Sequence, residues 1–506
     1  MSIGPLVNTI AQLKLVQSAA ASTVDNAIVG TDYKALVCLF LSGGCDTNNL
    51  LVPIGNNPQR AAYETDRSVI QITEAQINAA NTGLNTPSVG DQQYGLHQRL
   101  PKLANLYNRG QAAFLTNVGT LAEPTDRDTI GDAILPRQLF SHSDQVTQWM
   151  SSISDRDFTS GWGGRVADLI NDAANPNSSL SMQITAAGNN QFMVAPGGAT
   201  PQYTVTTTGA ISLNSFGTNY SSAYEDDGVT YRNNSTGQRL KAMEQIMAYS
   251  HAHILEDGYN TLVKRARESE SRVSEALNIA NGLSYTDPDT STNTELSFQA
   301  IFDSHGAGNT GLGQELLSIV NIIAGREAVG NTRQIFFVDL GGFDNHAALL
   351  NSQAPILEEM DNAIAAFQES LELLSLADSC FNTDQVTLFQ ASDFNRTWTP
   401  NSDNPSDAGT DHGWGGHTFI VGGAVNGGQL YGRGFPTLAV GGENDVPSGS
   451  RGRWIPTTSV DEYSSVLAHW FGIDYGSSEM ETIFPNLSRF IPSNITTPPT
   501  ELAFMT

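Results

Sequence analysis

Aspartate and histidine gather in four short segments whose other residues favour tight turns. These are Gly43-Gly44-Cys45-Asp46, Gly341-Gly342-Phe343-Asp344-Asn345-His346, Ser392-Asp393-Phe394-Asn395-Arg396 and Gly409-Thr410-Asp411-His412-Gly413. Carboxylate oxygens and neutral imidazole nitrogens are donors that zinc, manganese or iron accept. Two such ions about 4 Å apart can clamp the attacking and leaving oxygens of a displacement. Asp46, Asp344, His346, Asp393, Asp411 and His412 are therefore candidate metal ligands. Each segment alone also reads as an ordinary Asx-turn or helix cap. Their joint occurrence carries the expectation of a binuclear site.

A hydroxyl suited to nucleophilic work stands in Phe140-Ser141-His142-Ser143-Asp144. A serine at a helix N-terminus gains from the macrodipole and from N–H donors that stabilise anions, so Ser141 is the candidate nucleophile. Ser141-x-x-Asp144 also resembles a capping box. His142 reads as a ligand, a general acid or a core residue. Arg165, in Gly161-Trp162-Gly163-Gly164-Arg165, and Arg396 have the planar fork that grips phosphate or sulfate in two hydrogen bonds, or that forms an exposed salt bridge. His97 reads as structural, and His251, His253, His305 and His469 have no acidic motif around them.

Open α/β sheets collect ligands outside the carboxyl ends of their strands, so strands must deliver these segments. Lys34 to Leu41 is a continuous apolar run, the pattern of a strand buried on both faces. Helical periodicity over Leu96 to Asn108 leads into a strand at Ala112 to Val118, a β-α-β unit. The same reading places helices at Leu139 to Met150, Gly164 to Ile170, Gly313 to Ala324, Pro355 to Leu376 and Val460 to Phe471. Strands are expected at Gln334 to Leu340, Gln385 to Ala391 and Thr418 to Val421. Between the two halves, Gln183 to Thr236 is rich in Gly, Thr, Ser and Asn, and Gln238 to Leu283 is helical in pattern, with a charged face through Lys264 to Arg272.

The 506 residues hold 25 Lys and Arg against 52 Asp and Glu, a formal charge of -27. That excess repels nucleic acid, and it repels an anionic ester too unless bound cations reverse the local potential. The three cysteines have no C-x-x-C spacing, which excludes a zinc ribbon or redox pair and leaves one disulfide, such as Cys45 to Cys380, open. No run of about 18 apolar residues marks a membrane span. The mildly apolar stretch from Ile10 to Ala21 lacks a preceding cationic region.

Seven ordered motifs, L-F-L-S-G-G-C-D-T-N-N, Y-G-L-H, F-S-H-S-D-Q, G-W-G-G-R, L-G-G-F-D-N-H, S-D-F-N-R and G-T-D-H-G-W-G-G, carry a resemblance over Tyr33 to Phe471. They resemble bacterial sulfatase-related proteins of unassigned function, typically exported by the twin-arginine route, within the alkaline phosphatase superfamily. The resemblance implies an α/β fold, an alkaline-phosphatase-like three-layer αβα sandwich with a mostly parallel central sheet and a helical or irregular insertion. In that frame residues 1–32 are an N-terminal extension or signal remnant, 33–180 and 310–506 an interrupted core, and 181–309 a Gly/Thr-rich and helical cap insertion.

It further implies two divalent cations, zinc, manganese or calcium, with Asp46 as the first metal aspartate, Asp344 and His346 as a later pair, Asp393 as a further ligand and His412 as the C-terminal metal histidine. Three departures stand out. Asp393 is followed by Phe394 where the pattern has histidine, Asp344 is two rather than four residues from its histidine His346, and the C-x-P-S-R signature of formylglycine sulfatases is missing. The expected function is a metal-dependent hydrolase of phosphate or sulfate esters, acting on a small-molecule or glycan ester in the periplasm or outside the cell. The alternative is a non-catalytic secreted binding or surface protein that keeps the fold.

Overall fold

The computed structural model describes residues 32–85, 93–176, 178, 180–196, 200–206, 209–210, 223–225, 230–248, 268–447, 449, 451–492 and 495–506. In chain order its strands are β1 (Lys34–Leu41), β2 (Leu51–Ile54), β3 (Gln93–Leu96), β4 (Ala112–Gly119), β5 (Gln183–Thr185), β6 (Tyr203–Thr206), β7 (Gly209–Ala210), β8 (Ser284–Thr286), β9 (Asn293–Glu295), β10 (Arg333–Leu340), β11 (Val386–Ser392), β12 (Gly416–Gly422), β13 (Leu430–Tyr431) and β14 (Thr458–Ser459). Nine run in the order β13-β4-β12-β11-β1-β10-β5-β6-β7, and β14 pairs with β4 to make a ten-stranded sheet.

The apolar run of β1 sits at the middle of this sheet because both of its faces are covered. Val37, Leu39 and Leu41 enter one core with Leu103, Leu316, Leu357 and Ile364, while Leu36, Cys38 and Phe40 enter a second with Val166, Val466 and Leu467. Helices Pro101–Asn108, Gly311–Ala324 and Leu349–Ala377 thus cover one face, and Trp162–Ala174 and Val460–Phe471 the other. Each fully buried aliphatic side chain here contributes roughly 1.5–3 kcal/mol.

The sheet is mainly parallel, as expected: β1 pairs in parallel with both β10 and β11, and β10 with β5. β12 runs antiparallel to β11 and to β4. This reversal matters for the site. A segment that precedes an antiparallel strand reaches the same sheet edge as segments that follow parallel ones, so Gly409–Gly415 meets the loops after β1, β10 and β11.

Several expectations shift. The helix expected from Leu96 begins at Pro101, and Leu96 ends strand β3. The long helix begins at Leu349, with Pro355 inside it, rather than at Pro355. A proline this near the N-terminus withholds only one hydrogen bond, and the first turns are otherwise stabilised by packing. Strands β5 and β6, from the segment assigned to the insertion, extend the central sheet. In the helical part, Ser235–Met247 forms a helix, whereas residues 249–267, including His251, His253 and the start of the charged face, lie outside the described residues, as does the extension over 1–31. Cys38, Cys45 and Cys380 are free thiols, the first two buried and the third exposed, so the Cys45 to Cys380 bridge is not formed. No helix among the described residues is long and apolar enough to cross a membrane.

Candidate metal centre

The loops after β1, β10 and β11 are drawn together by backbone contacts that only small residues permit. Gly43 has φ +109°, and a Cβ on it would lie 2.7 Å from the Asp344 nitrogen. Gly44 has φ +76°, and a Cβ there would lie 2.4 Å from the Phe394 ring. Glycine meets both demands at once. The Gly43 N–H donates to Asp393 Oδ1 at 3.0 Å, which ties the first loop to the third. On the other side Arg396 and His412 form an antiparallel bridge, flanked by the Thr397 N–H donating to the Asp411 carbonyl at 2.9 Å and the Gly413 N–H to the Asn395 carbonyl at 2.7 Å.

This frame brings His142, Asp344 and His412 together so that one donor atom from each lies within 4.8 Å of the others. Asp344 Oδ1 is 3.5 Å from His142 Nε2 and 3.7 Å from His412 Nε2. Both imidazoles are held from behind. His142 Nδ1 is 2.7 Å from Asp393 Oδ2, and His412 Nδ1 is 2.8 Å from the Phe140 carbonyl oxygen. Occupied Nδ1 atoms direct the Nε2 atoms at Asp344, the arrangement that fixes the tautomer of a metal-ligating histidine. Phe140 presents its carbonyl from φ +74°, a strained conformation for a non-glycine residue.

The floor of the cluster is Phe394, the residue that departs from the expected histidine. Its buried ring packs 4.6 Å from the His142 ring and 4.7 Å from the His412 ring, centre to centre. His346 stands at the rim, 46% exposed, with Nε2 at 3.0 Å from both Asp344 Oδ1 and His412 Nε2. Its Nδ1 lies 3.4 Å from Asp411 Oδ1, and the other Asp411 oxygen pairs with Arg451.

Electrostatics favour the ligand forms. Burial works to raise the Asp344 pKa, but the hydrogen bond and charge of Arg396, then the charges of His346 and His142, hold it below the ordinary carboxylate value. Burial lowers the His412 pKa, and the charges of His142, Arg396 and His346 add to this against the opposing Phe140 hydrogen bond. Asp344 is thereby kept ionised and His412 neutral.

Other expected site residues are placed elsewhere. Asp46 is buried and ion-paired with Arg67, both side chains fully inaccessible, and its Oδ1 accepts from the Asn48 N–H. It is a structural anion below the loops and takes no part in the cluster. Arg165 is buried and spends its guanidinium on the carbonyls of Ser151, Ser160 and Ile483. Arg396 is also buried, donating to the carbonyls of Gly43, Gly44 and Thr410 as well as to Asp344, so it orients a ligand and has no free fork. Ser141 is the N-cap residue of His142–Ser151 but makes no side-chain cap; its Oγ donates to Asp144 Oδ2 at 2.6 Å, so the capping box is not formed either. Asp393 touches His142 as an orienting group rather than joining the three donors. Of the two cation sites expected, one donor group is found among the described residues. No motif marks Arg451 or Arg453, and the F-S-H-S-D-Q motif that begins at Phe140 says nothing of its backbone oxygen.

The fold and this cluster define an α/β protein with a candidate metal centre at the carboxyl edge of its central sheet. The family described as protein of unknown function DUF1501 matches residues 33–443, most of the chain, and the protein belongs to that family. No curated protein matches it. The family match corrects the resemblance drawn from the motifs: neither a sulfatase nor an alkaline phosphatase family is found with it. The physical reason is that Gly-Gly-x-Asp and Ser-Asp turns serve any strand edge that must bring loops close and orient a polar group, so they do not identify one superfamily.

Proposed function

We propose that the protein is a metal-dependent hydrolase of phosphate or sulfate esters in which His142, Asp344 and His412 hold one divalent cation. The observation that carries this reading is His142 Nε2, a buried nitrogen with no hydrogen-bond partner, 3.5 Å from Asp344 Oδ1. An imidazole so oriented by Asp393 and left unsatisfied at its other nitrogen has the state of a ligand awaiting an ion. Two imidazole nitrogens and one carboxylate oxygen suit zinc or manganese better than calcium, which takes about six to eight oxygens.

A bound divalent cation supplies Lewis acidity toward an ester oxygen. The chain's own residues divide the remaining work. His346, at the open rim and backed by Asp411, moves the proton at its Nε2. Arg396 keeps Asp344 ionised and in place. Asp344, 50% exposed, leaves a small-molecule or glycan ester an open approach.

The reading is tested by assaying the full chain, loaded with one equivalent of zinc or manganese, against an aryl phosphate and an aryl sulfate. Turnover that disappears in His412→Ala supports it. Equal rates in the wild type and in His412→Ala with both ester classes overturn it.

A further inference from the structure

We propose that Arg453 is the residue through which this site recognises the tetrahedral oxyanion of its substrate. The inference rests on the hydrolase reading above and assigns the anion contact to a residue outside the four loops.

Arg453 is built into the wall of the cluster. Its Nε donates to the His412 carbonyl at 2.8 Å, and its guanidinium carbon lies 4.3 Å from the centre of the Phe140 ring. Phe140 is the residue whose carbonyl orients His412, so one guanidinium touches both members of that pair. The backbone beneath it is fixed as well: the Arg453 N–H donates to Asp445 Oδ1 at 2.8 Å, and the Val446 N–H donates to the Arg453 carbonyl at 3.0 Å. Stacking on an aromatic face and anchoring through Nε leave little rotamer freedom to lose when the fork binds a ligand.

The other arginines near the site are committed. Arg165 and Arg396 are buried and donate to backbone carbonyls, and Arg451 is paired with Asp411. Arg453 differs: among the described residues neither of its Nη atoms donates to a protein acceptor. A planar fork with both outer nitrogens unspent is the geometry that grips two oxygens of a phosphate or sulfate.

Charge points the same way. Around the triad and Arg453 stand the carboxylates Asp344, Asp393, Asp411 and Asp445 and the guanidiniums of Arg396, Arg451 and Arg453, four negative charges against three positive. A divalent cation then leaves the site positive within a chain whose formal charge is -27. An anionic ester is the complementary occupant, and local positive potential is what lets it approach so acidic a protein.

The test is calorimetric titration of inorganic phosphate and inorganic sulfate into the full chain, both zinc-loaded and metal-free, for the wild type, Arg453→Met and Arg453→Lys. The expected result is binding of at least one anion to the wild type and a Kd raised about ten-fold or more in Arg453→Met, with zinc affinity changed by less than about three-fold. Arg453→Lys keeps the charge but not the fork, and is expected to weaken the anion by at least about three-fold; it decides the question if Arg453→Met does not fold. Wild-type anion affinity in a folded variant, or no anion binding by the zinc-loaded wild type, overturns the assignment. If the wild type binds no zinc, the hydrolase reading fails by itself, and the metal-free titrations still judge Arg453 by the same criterion.

Discussion

His142 Nδ1 and Asp393 Oδ2 are 2.7 Å apart, and this contact leaves His142 Nε2 facing Asp344 with no hydrogen bond of its own. Asp393 is itself held by the Gly43 N–H at the end of the central strand. The imidazole is thus oriented from the core of the sheet outward, which makes Asp393 a positioning residue for the ligand.

Asp393→Asn is expected to weaken zinc binding about 10–100-fold, the usual effect of losing a carboxylate behind a metal-bound histidine. The amide can still accept from Gly43 but cannot pair with His142 as an anion. Competition titration against a chelating dye measures the loss, and the spectrum of the cobalt-substituted protein reports the altered ligand geometry, which a purely structural role would leave unchanged.

Asp46→Ala behaves differently. Removing one partner of the buried Asp46–Arg67 pair strands a guanidinium in the interior and is expected to cost about 3–5 kcal/mol of stability. Zinc affinity, measured on the fraction that remains folded, is expected to stay at the wild-type value. Urea denaturation and metal titration together separate this from a ligand role.

His346→Ala tests the division of labour at the rim. The variant is expected to retain its cation and to lose about 10²–10⁴ in turnover of an aryl phosphate or sulfate, the range of a general acid or base. Parallel metal analysis and steady-state kinetics check it, and loss of the metal in this variant would instead make His346 a ligand.

Stability should also respond to a half-buried acid away from the cluster, Glu315. Burial raises the Glu315 pKa to about 7, opposed by the Asp339 N–H and reinforced by the Asp339 and Glu359 charges. A carboxyl whose folded pKa exceeds its unfolded value contributes stability below the unfolded pKa, and that contribution is lost as pH rises through the folded pKa. Wild-type stability is therefore expected to fall by on the order of 1–2 kcal/mol between pH 5.5 and 8, and Glu315→Gln is expected to flatten the fall. Urea midpoints at the two pH values, compared between the proteins, give the answer.

The elements that deliver the site were legible wherever pattern and packing agree. The apolar run from Lys34 to Leu41 is a strand to the residue, and Val460–Phe471 is a helix to the residue, because burial on both faces in one case and a Ser459/Glu462 capping box in the other leave little alternative. Asp344 and His412 were legible as candidate ligands because glycine-rich loops at strand ends expose short polar side chains. The burial of Asp46 has a long-range cause: its partner Arg67 comes from a helix 21 residues away that carries no motif. The Phe140 carbonyl could not be read at all, since a backbone oxygen leaves no trace in residue type and its strained φ exists only in the folded chain. Phe394, which looked like a defect in the pattern, is the surface on which His142 and His412 pack.

If His142, Asp344 and His412 form one cation site, the metal content of the full chain reveals it. After dialysis against zinc and removal of the excess at neutral pH, elemental analysis is expected to find about one zinc per wild-type chain and almost none in a folded His142→Ala/His412→Ala double variant. A wild type that retains no zinc, or a double variant that retains as much as the wild type, would contradict it.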